Sequence, residues 1–579
     1  MRRFFCLAAL FAVAVMGIAA AVAAAKVYPN RWVRVRSNLR EDSDIERIRA
    51  IADVAAKHGL TGIALSAGLD SLDLKPPEYF DRLKKVRALC EERDLEIIPS
   101  FMSSGYGGAV LAHDKNLAAG LEVKEALFEV RDGRATLKPE PAVSIANSSF
   151  EQAGQTQPPG FEVPAESTSS IVLDEKVAHQ GTRSVRFENL ERIERGHAQF
   201  SQTVQVHPFR QYRLTCRVKT ENLGASDPFG SGNFVLEVLG GEEERRLQYQ
   251  NPRLSSDDEW SQVAVGFNSW EYESVKIIPR VRGGISGRLW VDDLELEEVG
   301  LVNLLRRPGT PVSVKSDQSD VLYEEGRDYA PIADPDLNFR YDHEGPSIQI
   351  LPGSRIKEGE RLRVGYYHGT NIYNGQTPIC MSEPKLYEVW ETQVKLVHQH
   401  LAPAKYMLNM DEVRTGGSCV ACKSRGLSLA QILGDSITRQ YEMIKQVNPE
   451  AEIFVWSDML DPNHNANPER EYYYLAQGNY AGSWNYIPKD LRIICWYFNR
   501  RVPSLAHFSS LGHQTVAGAY YDADDLENVK GWLEALDDTP GAIGILYTTW
   551  LDKYDLLDEF GDLASTERTN PGSTGRPAN

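Results

Sequence analysis

Two adjacent carboxylates, Asp411 and Glu412, are the side chains of this sequence best suited to acid catalysis. They close the segment KYMLNMDE, whose apolar run has the pattern of a buried strand. Breaking a glycosidic bond requires an acid that protonates the leaving oxygen and a second group that stabilises the charge on the sugar carbon. Neighbouring residues within a strand point apart, but a turn at the strand end can bring both carboxylates to one pocket. The pair is therefore a candidate for this chemistry.

Aromatic and acidic residues end several other apolar segments of the chain. Aromatic rings stack on the C–H faces of sugars, and carboxylates accept hydrogen bonds from sugar hydroxyls, so we expect these residues to bind a saccharide. The candidates are Trp456, Asp458, Trp496, Tyr520, Tyr521, Asp522 and Trp550. Arg36 ends the segment RWVRVR and is a candidate for binding sugar hydroxyls, although a strand arginine can equally form a structural ion pair.

The elements that must position these residues alternate between strand and helix. Segments 31–36, 61–66 and 95–101 are short, apolar and β-prone, and a helical pattern separates each from the next. Ser43 and Glu46 have the spacing of a capping box at the start of the first helix. Such alternation is typical of a parallel sheet covered by helices.

The alternation stops near Gly107, resumes about 260 residues later with the helical segment 383–401, and then supplies five more strands. Eight strands in roughly 280 residues predict the α/β class and a (β/α)8 TIM barrel that is interrupted after its third strand. Its two parts are residues 26–107 and 366–564. Because such barrels carry their active sites at the carboxyl ends of the strands, we expect all the candidates to share one rim.

The interruption has its own organisation. Residues 139–300 contain short β-prone runs, many turns and no helical period, which predicts a β-sandwich of the jelly-roll type. Residues 301–365 form a further small β-rich accessory segment. Because the insertion follows the carboxyl end of a barrel strand, we expect the sandwich to lie on the active-site side and to shape the substrate cleft.

The bulk composition restricts location and partners. Two arginines followed by an apolar run predict a secretory signal in residues 1–25, with an uncleaved membrane anchor as the alternative. A net charge of −18 argues against nucleic acid and anionic membranes, and leaves an oligosaccharide or polysaccharide as the expected partner. We therefore expect an exported protein, which ends in a disordered tail at residues 565–579 that is rich in Ser, Thr, Pro and Gly.

Cysteine is sparse, with seven residues in a chain of 579, so the fold does not depend on a disulfide framework. Cys419 and Cys422 stand in the segment CVAC, shortly after the acid pair. Such a pair can be a local disulfide, two structural thiols or half of a metal site. The sequence has no second C-x-x-C and no paired histidines, which favours the disulfide or the thiols.

The second half of the barrel resembles the catalytic domain of glycoside hydrolase family 20, the β-N-acetylhexosaminidases, in which an Asp-Glu pair ends the fourth strand. The resemblance implies substrate-assisted retaining catalysis, with no cofactor and no protein nucleophile. Glu412 would be the general acid and base, and Asp411 would orient the 2-acetamido group whose oxygen attacks the anomeric carbon. Tyr520 or Tyr521 would hold the acetamido oxygen, and the tryptophans would wall the pocket. The segment 100–108, SFMSSGYGG, replaces the family's His-bearing loop.

The sandwich segment resembles the carbohydrate-binding modules of families 4, 9 and 22 through its two ends, IANSSFE at 145–151 and GRLWVDDLELEEV at 287–299. In such modules a calcium ion often ties the first strand to the last. Glu151 and Asp293 are the matching carboxylates here, and carboxylate oxygens are ligands that Ca²⁺ prefers. The resemblance therefore implies a structural calcium ion, while both residues could equally be surface acids.

Two alternatives to a hexosaminidase remain open from the sequence. A glycosidase with a protein nucleophile would use Glu412 as acid and base, with Asp522 or Asp458 opposite it. A glycan-binding protein would have the same fold without activity, because fold does not determine function. A substrate that lacks the acetamido group distinguishes the two enzymes, since the substrate cannot then participate.

Overall fold

The structure is a computed structural model that describes residues 27–140, 142–152, 157–193, 196–224, 233–242, 244–373 and 375–567. The expected secretory signal at residues 1–25 lies outside the described residues, and so does the expected tail from residue 568 onward. Within the described ranges, no helix combines the length and the hydropathy that crossing a membrane requires.

Eight parallel strands close into a barrel, which confirms the barrel predicted from the sequence. Most residues of these strands are buried, because a parallel strand in a barrel is covered on both faces. The third strand pairs directly with the fourth, so the insertion leaves the barrel closed. In order, the strands are Asn30–Arg36, Gly62–Ser66, Glu96–Phe101, Lys405–Leu408, Glu452–Trp456, Arg492–Cys495, Thr515–Tyr520 and Ala542–Thr548.

Helices follow seven of the eight barrel strands in the described ranges. They are Asp42–Lys57, Pro77–Glu91, Pro384–Leu401, Leu429–Val447, Arg501–Ser510, Glu527–Asp537 and Leu557–Ser565. After the fifth strand the chain forms the short 3₁₀ turns Asp458–Leu460 and Ser483–Asn485 in place of a helix. Two single-turn helices, Gly108–Leu111 and Val420–Lys423, lie in the loops that follow the third and fourth strands.

The predicted capping box of the first helix is wrong by two residues. The helix Asp42–Lys57 starts after Glu41, and its capping box joins Glu41 to Asp44 instead of Ser43 to Glu46. Asp44 Oδ2 accepts a hydrogen bond from the backbone N–H of Glu41 at 3.3 Å. Acidic side chains at the first turn also complement the positive end of the helix dipole, so a Glu–Asp box competes well with the expected Ser–Glu box.

The middle of the insertion is the predicted β-sandwich. All the pairings in its two sheets are antiparallel, and the side chains between the sheets form a separate hydrophobic core. One sheet contains, in spatial order, Ser261–Asn268, Gln211–Glu221, Arg288–Glu298, Ser184–Phe187 and Ile171–Asp174. The other contains Arg245–Gln250, Phe234–Gly240, Ser274–Arg282 and His197–Gln199, with Gln202–Gln205 also pairing to Ser274–Arg282.

The accessory segment is larger than the predicted range 301–365, because its sheet takes strands from both sides of the sandwich. Its central pairing joins Leu121–Arg131 to Arg361–His368 in antiparallel register. The full order is Leu322–Tyr323, Ser313–Ser316, Arg361–His368, Leu121–Arg131, Arg134–Leu137 and Ile348–Gln349. The sandwich is therefore an insertion within this six-stranded sheet, which is itself an insertion within the barrel.

Candidate functional site

A cavity of about 590 Å³ opens at the carboxyl ends of the barrel strands, where the barrel rule places an active site. The residues that line it come from seven strand ends or the loops after them, and from the insertion. The lining residues are Arg36, Tyr106, Arg253, Tyr373, Gly375, Gln376, Asp411, Glu412, Trp456, Trp496, Tyr521, Trp550 and Leu551. Arg253 belongs to the sandwich, so the inserted module contributes to the cavity wall as predicted.

The backbone turns sharply after the end of the fourth strand, and as a result Asp411 and Glu412 both face the cavity. Glu412 has a positive φ of 50°, a left-handed conformation that is uncommon outside glycine. The loop after the third strand packs tightly against this turn. A Cβ atom on Gly105 would lie 2.0 Å from the backbone oxygen of Asp411, so only glycine allows this approach.

The carboxylate of Glu412 is held by two donors. Its Oε1 lies 2.7 Å from Nη2 of the buried Arg414, and Oε2 accepts a hydrogen bond from the hydroxyl of Tyr106. Gln376 connects this group to the insertion, because its Nε2 donates to the backbone oxygen of Glu412 at 2.8 Å and its Oε1 accepts from Arg414. The arrangement fixes the orientation of Glu412 at the cavity surface.

Burial, together with the negative charge of Glu412, raises the pKa of Asp411 to about 6. Arg34 and Arg414 act in the opposite direction. Arg34 belongs to the first barrel strand, where its Nη1 donates to the backbone oxygen of Thr549 at 3.1 Å. Asp411 therefore changes its charge near neutral pH, in the range that acid and base catalysis uses.

Asp458 lies beneath the acid pair and is fully buried. Its Oδ2 accepts from the backbone N–H of Glu412 at 2.9 Å and from Asn465 Nδ2 at 2.8 Å, and its Oδ1 accepts from Trp496 Nε1 at 3.3 Å. Burial and the charges of Asp411 and Glu412 together raise the pKa of Asp458 to about 8. Asp458 was predicted to bind substrate, but the structure places it outside the cavity lining, where it positions Glu412 and Trp496.

Four aromatic side chains predicted to bind a sugar do line the cavity: Trp456, Trp496, Tyr521 and Trp550. The rings of Trp496 and Tyr521 are stacked, with centroids 5.7 Å apart and planes inclined by 3°. Trp550 lies 6.5 Å from Trp456 and 6.3 Å from Tyr521, and the guanidinium of Arg34 sits 3.9 Å from its ring. These rings form a continuous aromatic wall in the cavity that the two carboxylates also line, of the kind that accommodates the apolar faces of a sugar.

Two further predicted substrate-binding residues, Tyr520 and Asp522, do not line the cavity. The ring of Tyr520 is buried and stacks on Tyr547 with centroids 4.1 Å apart. Asp522 accepts from Thr549 Oγ1 at 2.5 Å and from the backbone N–H of Trp550 at 2.7 Å, so its carboxylate fixes the loop after the eighth strand. Tyr520 to Asp522 all have positive φ, and this turn directs Tyr521 alone toward the cavity.

Arg36 lines the cavity as predicted, and it also forms structural contacts. Its Nη2 donates to the backbone oxygen of Trp550 and lies 3.9 Å from Asp552. The two sequence interpretations, contact with substrate and a structural ion pair, are therefore compatible. Because the side chain is 40% exposed, the ion pair with Asp552 is screened by solvent.

The sequence interpretation missed several residues of the site, of which Tyr106, in the cavity lining, and Arg414, buried behind it, hold Glu412 directly. Tyr106 lies in the segment 100–108 that follows the third strand, and the rule that such loops line the site could have identified it. Arg414 stands two residues after Glu412, a spacing that also offered a signal. Gln376 and Tyr373 reach the cavity only through the return path of the insertion, which no local pattern predicts.

The cysteines and the predicted calcium ligands lie away from the cavity lining. The sequence favoured either a disulfide or two structural thiols for Cys419 and Cys422; all six cysteines in the described ranges are free, so of these two forms the structure has the thiols. In the inserted sandwich, Glu151 accepts from the backbone N–H of Thr182 at 2.8 Å, and Asp293 Oδ2 lies 2.6 Å from His179 Nδ1. Neither acid belongs to a three-residue group of metal-ligand type among the described residues, and calcium there stays a prediction.

The chain matches no protein-family model and no curated protein sequence. Among solved structures it is similar to the module TmCBM61 in complex with β-1,4-galactotriose, at 19% identity over 26% of this chain and 96% of that chain, with a TM-score of 0.20. It is similar to the CBM22-1 xylan-binding domain of Paenibacillus barcinonensis Xyn10C, at 16% identity over 26% and 91% of the two chains, with a TM-score of 0.18.

The chain is also similar to a rhamnosidase from Novosphingobium sp. PP1Y, at 11% identity with a TM-score of 0.34. This match covers 91% of the present chain and 55% of the rhamnosidase. The expected likeness to glycoside hydrolase family 20 is not shown by these comparisons. At these low scores, function has to be argued from the residues of the cavity.

Proposed function

We propose that this protein is a glycoside hydrolase that cleaves β-N-acetylhexosaminides by substrate-assisted retaining catalysis. One observation carries the proposal: the carboxylates among the described residues that line the cavity, Asp411 and Glu412, are adjacent in the chain. A retaining enzyme with a protein nucleophile needs two carboxylates on opposite sides of the sugar, about 5–5.5 Å apart. An adjacent pair in a cavity that aromatic rings also line suits a reaction in which the nucleophile belongs to the substrate.

In this proposal Glu412 protonates the leaving oxygen. Arg414 holds Oε1, so we assign the proton to Oε2, which the hydroxyl of Tyr106 touches at the rim. Tyr106 is 45% exposed, and an entering leaving group can therefore replace it at this oxygen. After departure of the leaving group, the same oxygen accepts a proton from the attacking water, as the reverse of the first step requires.

Asp411 and Tyr521 then orient the 2-acetamido group of the substrate. Asp411 accepts a hydrogen bond from the acetamido N–H and balances the positive charge that develops as the carbonyl oxygen attacks the anomeric carbon. Tyr521, which lines the cavity where Tyr520 does not, donates its hydroxyl proton to the acetamido oxygen. Trp456, Trp496 and Trp550 pack against the sugar ring and exclude water from the reacting bond.

The alternative with a protein nucleophile receives less support from the cavity. Asp458 and Asp522, the two carboxylates considered for that role, accept hydrogen bonds from protein donors and lie outside the lining. A non-catalytic glycan-binding protein would keep the aromatic wall but would not need a positioned Glu412. The experiment below separates these three outcomes.

The test is hydrolysis of an aryl β-N-acetylglucosaminide, its galacto isomer and the corresponding plain β-glucoside by the purified protein. We expect turnover of an acetamido substrate, and a loss of about 10²–10⁴-fold in kcat for Glu412→Gln, the size of a general acid contribution. Asp411→Asn should lose activity on acetamido substrates to a similar extent. Glu527→Gln, on an exposed helix, is the matched control and should retain activity.

Turnover of the plain glucoside alone would contradict acetamido participation and support a protein nucleophile. Inertness toward all three substrates, together with retained glycan binding in calorimetry, would identify a binding protein. Full activity in Glu412→Gln would exclude the assigned acid.

A further inference from the structure

Three cysteines from two distant segments meet at one buried point. Cys380 lies just before the helix Pro384–Leu401, whereas Cys419 precedes the short helix Val420–Lys423 and Cys422 lies within it. The Sγ–Sγ distances are 3.5 Å between Cys380 and Cys419, 3.6 Å between Cys380 and Cys422, and 3.7 Å between Cys419 and Cys422. Each cysteine is no more than 4% exposed. The sequence interpretation considered only the C-x-x-C pair and missed Cys380 as its third member.

These distances match those of a thiolate metal centre. With zinc–sulfur bonds of about 2.3 Å in tetrahedral geometry, neighbouring sulfur atoms are about 3.8 Å apart. An ion at that bond length from all three sulfur atoms would lie about 1 Å above their plane, close to its position in a regular tetrahedron. No pair of these sulfur atoms is near the disulfide bond length of about 2.05 Å, and all three cysteines are free.

We propose that Cys380, Cys419 and Cys422 bind one thiophilic metal ion of the Zn²⁺ type through three thiolates. Soft sulfur ligands select such ions over Ca²⁺ or Mg²⁺. On binding, the three thiol protons pass to solvent and three metal–sulfur bonds form. The described residues add no fourth His, Cys, Asp or Glu to this group, so a small ligand from solution completes the tetrahedron.

The charges around the cluster suit this assignment. Three thiolates and a divalent cation carry a net charge of −1, which needs a positive partner in a buried site. Arg307, whose side chain is 6% exposed, points Nη2 at Cys419 Sγ from 3.7 Å. Its other donors are held by Glu383 at 2.7 Å and by the backbone oxygen of Ala118 at 2.8 Å, so the guanidinium is fixed beside the sulfur atoms.

The position of the cluster indicates a structural role. Cys419 and Cys422 belong to the loop that carries Asp411, Glu412 and Arg414, whereas Cys380 lies where the chain returns from the insertion to the barrel. A bound ion would cross-link these two segments and stabilise the loop behind the acid pair. The proposal does not depend on the proposed hydrolase function, because it is tested by measuring metal content and thiol reactivity instead of activity.

The test measures metal in the purified protein after expression with added zinc and gel filtration without chelator. We expect one zinc per chain in the wild type and a strong loss in Cys380→Ser and Cys422→Ser. Cys216→Ser removes another buried cysteine, in the sandwich, and should keep the metal. Replacing zinc by Co²⁺ in the wild type should produce intense sulfur-to-cobalt charge-transfer absorption, a readout that needs no variant to fold.

Thiol titration of the unfolded wild type completes the experiment. We expect every cysteine of the described ranges to titrate after a chelator has removed the metal. Wild-type protein without metal, in which two thiols are lost to a disulfide, would overturn the proposal. Metal-free wild-type protein with all thiols intact would also overturn the proposal, because the three cysteines would then be packed thiols only. Metal that remains in both serine variants would overturn it as well.

Discussion

Arg414 is a buried cation that pairs with Glu412 and acts electrostatically on Asp411, and its replacement by methionine tests the electrostatic account of the site. Its Nη2 lies 2.7 Å from Glu412 Oε1, and the two side chains are 4% and 22% exposed. The guanidinium also lies 4.4 Å from the ring of Tyr373 and binds Gln376. Arg414→Met keeps most of the length of the side chain and its apolar contacts while removing the charge and every hydrogen bond.

The expected loss of stability follows from the burial of the pair. Removing one partner of a buried ion pair costs about 3–5 kcal/mol, because the remaining charge is left without a partner in a poor solvent. Glu412 is partly exposed, so solvent replaces some of the lost interaction and we expect the low end, about 3 kcal/mol. Arg414→Lys retains a charge but loses the fork geometry of the guanidinium. Its stability should therefore lie between those of the wild type and Arg414→Met.

The same variant should shift the pH dependence of activity. In the proposed mechanism Asp411 must be ionised, and its pKa of about 6 predicts that activity falls as the pH drops through that value. Arg414 lowers the pKa of Asp411, so its removal raises that pKa and moves the acidic limb to higher pH. Glu412 is the nearby acid that acts on the pKa of Asp411 in the same direction as burial.

The assay is kcat/KM on the aryl N-acetylglucosaminide from pH 4 to 9, together with urea unfolding at pH 7, for the wild type, Arg414→Met and Arg414→Lys. We expect the acidic limb of the pH profile near pH 6 in the wild type. It should move to higher pH in Arg414→Met and stay nearly unchanged in Arg414→Lys. An identical limb in wild type and Arg414→Met, with stabilities that agree within error, would refute the reasoning.

Two other variants address the positioning of the acid pair. The folded-state pKa of Asp458, about 8, lies above the ordinary value of 3.8, so the folded protein binds this proton more tightly and loses stability as the pH rises from about 4 to 8. Asp458→Asn removes that loss of stability. Between pH 5 and 8.5, the free energy of unfolding of the variant, measured in urea, should therefore rise by a few kcal/mol relative to that of the wild type. A difference in unfolding free energy that stays constant over this range would contradict the shifted pKa. Gly105→Ala places a Cβ 2.0 Å from the Asp411 oxygen, and a displacement of about 1 Å predicts a loss of about 10²-fold in kcat/KM. Gly108→Ala, where a Cβ meets nothing within 4 Å, is its control, and equal activity in the two alanine variants would show that the contact is unimportant.

Much of the barrel could be predicted from sequence because each strand is locally encoded. A buried parallel strand such as Glu452–Trp456 is a short apolar run, and the helices between strands have their own period. The sheet around the sandwich could not be predicted in the same way. Leu121–Arg131 alternates charged and apolar residues and finds its partner, Arg361–His368, more than 200 residues later. Pairing at that distance leaves no local signal.

The site was partly predictable for a related reason. The rule that barrel strands end at one rim correctly placed Asp411, Glu412 and four aromatic residues in the cavity. It fixes the edge at which a residue lies but not the direction of its side chain, and so Asp458, Tyr520 and Asp522 were wrongly expected in the lining. The orientation depends on backbone turns with positive φ and on buried hydrogen bonds, which emerge only once the loops have packed.

The nesting of the two insertions determines the order in which the molecule can be assembled during synthesis. The third barrel strand ends at Phe101, and its hydrogen-bonding neighbour begins at Lys405, so the ribosome must add about 300 residues between them. At about 5–20 residues per second this takes roughly 15–60 s, during which the edge of the third strand has no partner from the barrel. The sandwich contains all of its own strand pairings and can fold in this interval, before the sheet that encloses it. The molecule is therefore built from the inside outward, and the half-made barrel needs protection from aggregation until its fourth strand arrives.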